Sequence, residues 1–191
     1  MNFNGKFRGV TMIRILPVFG AICCLIIFIG FFSPWLELYS SPYNLEGVRV
    51  KDQAAISGWD LSQGRIRVVQ MIESQELLRW EYYRTLELRV ESKFYPYLCL
   101  IGGILLFVGG IITVKMSKNI KIAYLIILSG SLLSFFGGAI GFLDNRWITP
   151  RVIVIEEYAI FGYYRHGLLL CIIGSLLGII GCLFIWGISR E

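Results

Sequence analysis

Four stretches of this chain are too long and too free of charge to sit in an ordinary globular core. They span residues 12–36, 94–114, 122–143 and 167–188, and the only Asp, Glu, Lys, Arg or His among them is Arg14, near the start of the first. A helix needs roughly 20 apolar residues to cross a bilayer, whereas a soluble helix of that length keeps a polar face. The expectation is an integral membrane protein with four transmembrane helices. The rest of the chain is far less apolar, so the overall 16% of charged residues, against about a quarter in soluble domains, reflects these blocks. The first block is preceded by basic residues, as a secretory leader would be. A leader's apolar run is only about 7–15 residues and ends at a small-residue cleavage site. This one is longer and ends in FFSPWLEL, so it is expected to be retained.

Charge assigns sides. Lys6, Arg8 and Arg14 precede the first block, and Lys115, Lys118 and Lys121 lie between the second and third, with no acidic residue in either segment. Residues 37–93 are balanced, with eight basic and nine acidic side chains, and 144–165 carry three of each. Short cytoplasmic loops collect Lys and Arg. The reading is a cytoplasmic N-terminus (1–11), a large outer segment (37–93), a cytoplasmic turn (115–121), a smaller outer segment (144–166) and a cytoplasmic C-terminus (189–191). The net charge of +5 is then a topology signal, and no nucleic-acid partner is expected. The single histidine and the cysteine-free outer segments suit a prokaryotic plasma membrane.

The second and fourth blocks repeat each other. Leu98/Leu170, Cys99/Cys171, Ile101/Ile173, Gly102/Gly174, Leu105/Leu177 and Gly109/Gly181 are identical pairs at one constant offset. The first and third blocks share only spaced small residues, Gly20 and Cys24 against Gly130, Ser134 and Gly138. The fold class expected is a four-helix membrane bundle of two parallel-repeat hairpins, carrying a small outer sheet with a helix. Lipid tails are as apolar as leucine, so membrane helices associate through small residues that permit close approach. Gly102, Gly109, Gly130, Ser134, Gly138, Gly174, Gly178 and Gly181 are the candidate packing positions.

The outer segments carry strand signals. TLELRVES (85–92) alternates apolar and charged residues as a half-buried strand does, and WLELY (35–39), GVRV (47–50) and RVIVIEE (151–157) are extended in character. The spacing of Val69, Ile72, Leu77 and Trp80 predicts a helix over 67–83, and SPYN, SGWD and SQG mark turns or helix starts. Aromatic residues, among them Trp35, Tyr95 and Tyr97, gather where the headgroup layer would lie. Trp59, Trp80, Trp147, Glu156 and Glu157 are the candidate partner contacts.

Chemistry-bearing constellations are sparse. Cys23-Cys24 is an adjacent pair near mid-membrane, with no outer cysteine to pass electrons on. A buried cysteine of this kind serves as a small hydrophobe. His166 has no ligand set around it. Interior ionisable residues, which proton and ion pathways require, are missing. No catalytic group, metal or cofactor is expected.

The layout resembles the claudin and peripheral-myelin group: four helices, a larger first outer segment and strands outside, with SPWLEL after the first helix and SGWDL at 57–61. The paired loop cysteines of claudins and their Trp-Gly-Leu-Trp motif are absent. The resemblance implies a cell-contact or membrane-organising role. The expected function is a non-catalytic membrane protein, either an accessory subunit or a self-associating organiser, whose partners are membrane lipids and other subunits or itself. The alternative is a binder of lipid, quinone or another apolar ligand between glycine-lined helices. A membrane thiol oxidoreductase is the third reading.

Overall fold

The structure, a computed structural model, describes residues 3–74, 79–115, 120–148, 160–164 and 166–190, with side chains described over 16–74, 79–113, 121–144 and 166–184. Its elements in order are α1 (Phe3–Phe32), β1 (Pro34–Ser40), β2 (Tyr43–Leu45), β3 (Val48–Ser57), α2 (Gly58–Gln63), β4 (Arg65–Ser74), β5 (Arg79–Arg89), α3 (Tyr95–Lys115), α4 (Ile120–Ile148), β6 (Ile160–Tyr164) and α5 (His166–Arg190).

Three helices are long and apolar enough to cross a membrane: Tyr95–Thr113, Lys121–Asp144 and His166–Phe184. α1 adds an apolar stretch over Leu16–Phe32. The helices pack as a ring: α3 and α5 each run along both α1 and α4, which barely touch each other. Their outward faces carry Ile22, Leu25, Phe28, Ile104, Phe107, Leu125, Phe136 and Ile180, all exposed. A continuous apolar belt of this kind is uncommon on a soluble monomer and is compatible with a membrane-embedded protein.

Three of the hydroxyls inside the bundle donate to the backbone one turn back, while Ser134 Oγ, also buried, has no partner among the described residues. Thr113 Oγ1 donates to Gly109 O, Ser131 Oγ to Ile127 O and Ser175 Oγ to Cys171 O, each at 2.8 Å. In a medium without water each such group needs a partner of this sort.

The sheet has the order β5-β4-β3-β1-β6, with β2 paired to β3, and every pairing is antiparallel. Its seat follows from chain continuity. β1 leaves the end of α1 directly, and β6 leads into α5, so two neighbouring helices continue as two neighbouring strands.

The structure corrects the helix expected over 67–83. Residues 65–74 and 79–89 are the two strands of a hairpin, in register from Arg65↔Arg89 to Ser74↔Arg79. Ile66 and Val68 face inward between exposed Arg65 and Arg67, a period of two. The next inward position is Gln70, buried although polar, and it breaks the apolar alternation that would have shown the strand. The stretch expected as a strand at 151–157 lies outside the described residues; the strand from that side of the chain that joins the sheet is β6. Ser57 opens α2 with a capping box, its Oγ accepting from Asp60 N while Asp60 Oδ2 accepts from Ser57 N, so SGWD is a helix start.

Candidate functional site

Two regions stand out: the joint where the sheet sits on the helices, and the hairpin it holds away from them. The joint is built on Trp35. SPW follows α1 at once, which delivers the indole back over the helix end. Its Nε1–H donates to Gly30 O at 2.9 Å, and its ring stacks on Tyr95 at 6.2 Å between centroids and 20° between planes. Gly58 of α2 and Gly141 of α4 lie against the same ring, so close that a Cβ on either would come within 2.9 and 2.8 Å of it. Trp35 is fully buried. It therefore ties β1, α2, α3 and α4 together rather than resting in a headgroup layer, and Tyr95 is buried with it, while Phe94 and Tyr97 are exposed.

Inside the sheet a chain of hydrogen bonds crosses four strands. Arg84 Nε donates to Gln70 Oε1 at 2.6 Å, Gln70 Nε2 to Tyr43 Oη at 3.1 Å, and Tyr43 Oη to Asp52 Oδ2 at 2.8 Å. Asp52 N donates to Ser40 Oγ at 2.8 Å. Every donor points the same way, so a cation at one end is coupled through two neutral groups to a buried carboxylate at the other. The arrangement fixes strand order. It has no open position for a substrate.

Beyond this network the hairpin is solvated. Almost every residue of β5 is exposed, with Tyr82 and Tyr83 prominent. Trp80 and Tyr39 flank Lys51 Nζ at 5.9 and 5.6 Å, and the Arg84 guanidinium lies 5.3 Å from the Tyr83 ring. Tyr, Trp and Arg are the residues that dominate protein interfaces. The outer edge of β5 is protected against strand addition. A bulge interrupts its register between Gln70 and Met71, and Arg79, Glu81, Arg84, Glu87 and Arg89 stud its length. Contact with a partner would be made through side chains.

Of the candidate contacts, Trp80 belongs to this hairpin. Trp59 is separate: it stands half-exposed on α2 with its ring near Phe31 and Phe32 of α1. Trp147 is in α4 with its side chain outside the described residues, as are Glu156 and Glu157 entirely. His166 is the exposed first residue of α5.

The small residues lie between helices. Gly102 faces Gly130 and Ser134, Gly109 faces Ile127, Gly138 faces Ile172, Gly174 faces Ile27 and Cys23, Gly178 faces Ser131, and Gly181 faces Phe19. The contacts are tight enough to leave no room for a ligand at those points. Cys99 Sγ donates to Ser134 O of α4 at 3.4 Å, and Cys171 Sγ to Ile27 O of α1 at 3.5 Å. The two thiols interact with each other at the centre of the ring. Cys23 is fully buried and Cys24 partly so.

Gly30 is a position that sequence reasoning passed over, and its counterpart is Gly137, which the small-residue spacing Gly137-xxx-Gly141 marks in the sequence. A Cβ on Gly30 would lie 2.7 Å from Gly167 O and 2.9 Å from Cys171 Sγ; one on Gly137 would lie at the same distances from Tyr95 O and Cys99 Sγ. The offset between α1 and α4 is thus 107 residues, the distance from 30 to 137. The alignment of Gly20 with Gly130 is out by three. Around the shared glycine the two sequences differ, Gly30-Phe31-Phe32 against Gly137-Gly138-Ala139, so the sequence alone carries no signal for this register.

No protein-family model matches this chain, and no curated protein matches it in sequence. Its function has to be argued from the geometry alone.

Proposed function

We propose that this chain is a non-catalytic, four-span membrane protein whose helices anchor and whose outer sheet makes contact with another protein, as an accessory subunit of a membrane complex or as a self-associating organiser. The observation that carries the reading is a division of labour. The small-residue faces, which could have bound a foreign helix, are occupied within the ring. The side chains suited to recognition gather on β5: Tyr82 and Tyr83 are exposed, beside a half-buried Trp80 and an Arg84 anchored on Gln70.

In this reading α1 is the fourth span, the termini and the 115–121 turn are cytoplasmic, and the sheet is extracytoplasmic, as the basic residues of those short segments support. The large sheet-forming first segment is also what supports the claudin-like layout, and with it a membrane-organising role.

The test is a pull-down with a paired control. The native protein and its Tyr82→Ala/Tyr83→Ala variant are extracted in mild detergent, separated on a native gel, and their bands identified by mass spectrometry. The expected result is a fixed companion, or a second copy, at constant stoichiometry with the native chain and lost with the variant. A single-chain monomer band from native membranes would sink the proposal.

A further inference from the structure

Where the apolar windows of α3 and α4 begin and end, the surface opens into a cleft of about 460 Å³. Its polar side is formed by Glu91, Lys93 and Asp144, and its apolar side by Phe94, Ile140 and Leu143. The first is a mixed-charge group. Lys93 Nζ is 3.3 Å from Glu91 Oε2 and 4.0 Å from Asp144 Oδ2. The Tyr95 hydroxyl hydrogen-bonds the Asp144 carboxylate. Asp144 Oδ2 is nevertheless buried from solvent and accepts no hydrogen bond among the described residues, since Lys93 is too far away to donate to it. A buried carboxylate oxygen short of donors is costly, and the Asp144 side chain that carries it is 32% exposed and lines the cleft.

The segment that shapes the cleft is held in place. Val90 N donates to Gly64 O and Lys93 N to Leu61 O, both at 2.9 Å, pinning 90–93 to the end of α2. The site therefore combines an unused acceptor, a neighbouring ammonium and an apolar wall. Phe94 and Leu143 in that wall are 68% and 58% exposed, which leaves them to cover an acyl chain.

We propose that this cleft binds the headgroup of a zwitterionic aminophospholipid of the ethanolamine type. Its primary ammonium donates to the exposed part of the Asp144 carboxylate, its phosphate pairs with Lys93, and its chains run down past Phe94 and Leu143. An anionic lipid without an amine would leave Asp144 unpaired and set a phosphate beside two carboxylates. A choline lipid has the right charges but no N–H to donate. The inference rests on α3 and α4 lying in a bilayer and is independent of what the outer sheet contacts.

The test uses the full chain reconstituted with equal amounts of ethanolamine, N,N-dimethylethanolamine, choline and glycerol phospholipids of identical acyl chains. Lipid retained after mild detergent purification is counted by mass spectrometry. The ethanolamine lipid is expected to exceed the choline lipid roughly tenfold, the value of one charge-assisted hydrogen bond. Retention of the dimethyl lipid, which keeps one N–H, should stay near that of the ethanolamine lipid. Asp144→Asn should bring the ethanolamine and choline lipids close to equality, with circular dichroism confirming the fold. The methylation series on the native chain needs no variant and stands even if Asp144→Asn misfolds. Equal retention of all four lipids, preference for the glycerol lipid, or displacement by soluble phosphoethanolamine at matched concentration would each overturn the assignment. A chain that stays in solution without detergent would instead remove the membrane reading beneath it.

Discussion

The packing of α1 on α5 and that of α4 on α3 match at one glycine each, Gly30 and Gly137, whereas the segment joining α1 to α3 is far longer than the one joining α4 to α5. On the helix side, Gly30 lies on Cys171 and Gly137 on Cys99 at matching distances, and each thiol donates to a carbonyl one turn before the facing glycine. Burial agrees too: Cys23, Ile27, Gly30 and Phe31 are buried, and so are Gly130, Ser134, Gly137 and Gly138. On the other side, residues 33–94 build five strands and a helix, whereas β6 is the one strand described in 149–165. Duplicated geometry is where helices must meet closely. Strands β1–β5 are what the longer segment adds to the described structure.

The joint between these two regions offers the largest perturbation. Trp35→Ala removes the fully buried ring that touches α2, α3 and α4 at once. Burial of this kind is worth about 3–5 kcal/mol on truncation, and the expected outcome is a sheet that no longer sits on the ring. Protease digestion in detergent checks this: cleavage within 37–93 should accelerate while the helical fragments persist. Trp35→Phe, which keeps most of the packing and loses the bond to Gly30 O, should cost less. If the alanine variant resists protease as well as the native chain, the two regions are held together elsewhere.

The likeness of the two helix pairs can be tested directly. A methyl group at Gly30 or Gly137 meets backbone as well as sulfur, and backbone cannot rotate away. Gly30→Ala and Gly137→Ala should each destabilise by about 1–3 kcal/mol, the usual cost of overpacking, and by similar amounts. Thermal unfolding in a fixed detergent measures both. One substitution proving neutral while the other is severe would show that the copies differ in tightness despite matching contacts.

These two outcomes bear on what the sequence could disclose. The apolar helices are legible because membrane solvent imposes a long uncharged run that water does not. The Cys99 and Cys171 helices are legible as a pair because their small residues coincide. The register of α1 against α4 is not, because equivalent sites hold different small or apolar side chains: Cys23 answers to Gly130 and Ile27 to Ser134. Strand β1 and the 85–89 end of β5 show in the sequence, whereas the spacing reads 79–83 with 67–78 as helix, and β4 is hidden by Gln70, an inward polar residue whose partners, Tyr43 and Arg84, lie far away in sequence. The setting of Trp80 is not legible in the sequence, since the strand pairing that brings it and Tyr39 to Lys51 is non-local.

That same polar chain provides a perturbation confined to the sheet. Tyr43→Phe takes the donor from Asp52 Oδ2, and Asp52 Oδ1 already has no partner among the described residues. Leaving a buried carboxylate without donors should cost about 1–3 kcal/mol, read as faster amide exchange in β2, β3 and β4. The helices should show no change. Asp52→Asn, which removes the charge, is expected to be milder. Faster exchange in α3 or α4 on Tyr43→Phe would mean that the sheet and the ring unfold as one unit.

The smallest expected effect belongs to α2, an element with no described counterpart in the second half. Ser57 caps it, and Asp60 returns the bond to the Ser57 amide. Ser57→Ala should cost about 1 kcal/mol and Ser57→Gly only a few tenths, because glycine leaves the cap's backbone accessible to solvent. The helix is short, and its position between the end of α1 and the start of α3 gives the cap its importance. Trp59, one residue before the bonded Asp60, is carried against Phe31 and Phe32 by that turn. A loosened cap should therefore register as a change in tryptophan fluorescence before any loss of helix. Equal effects from alanine and glycine would assign the cost to the lost serine packing instead.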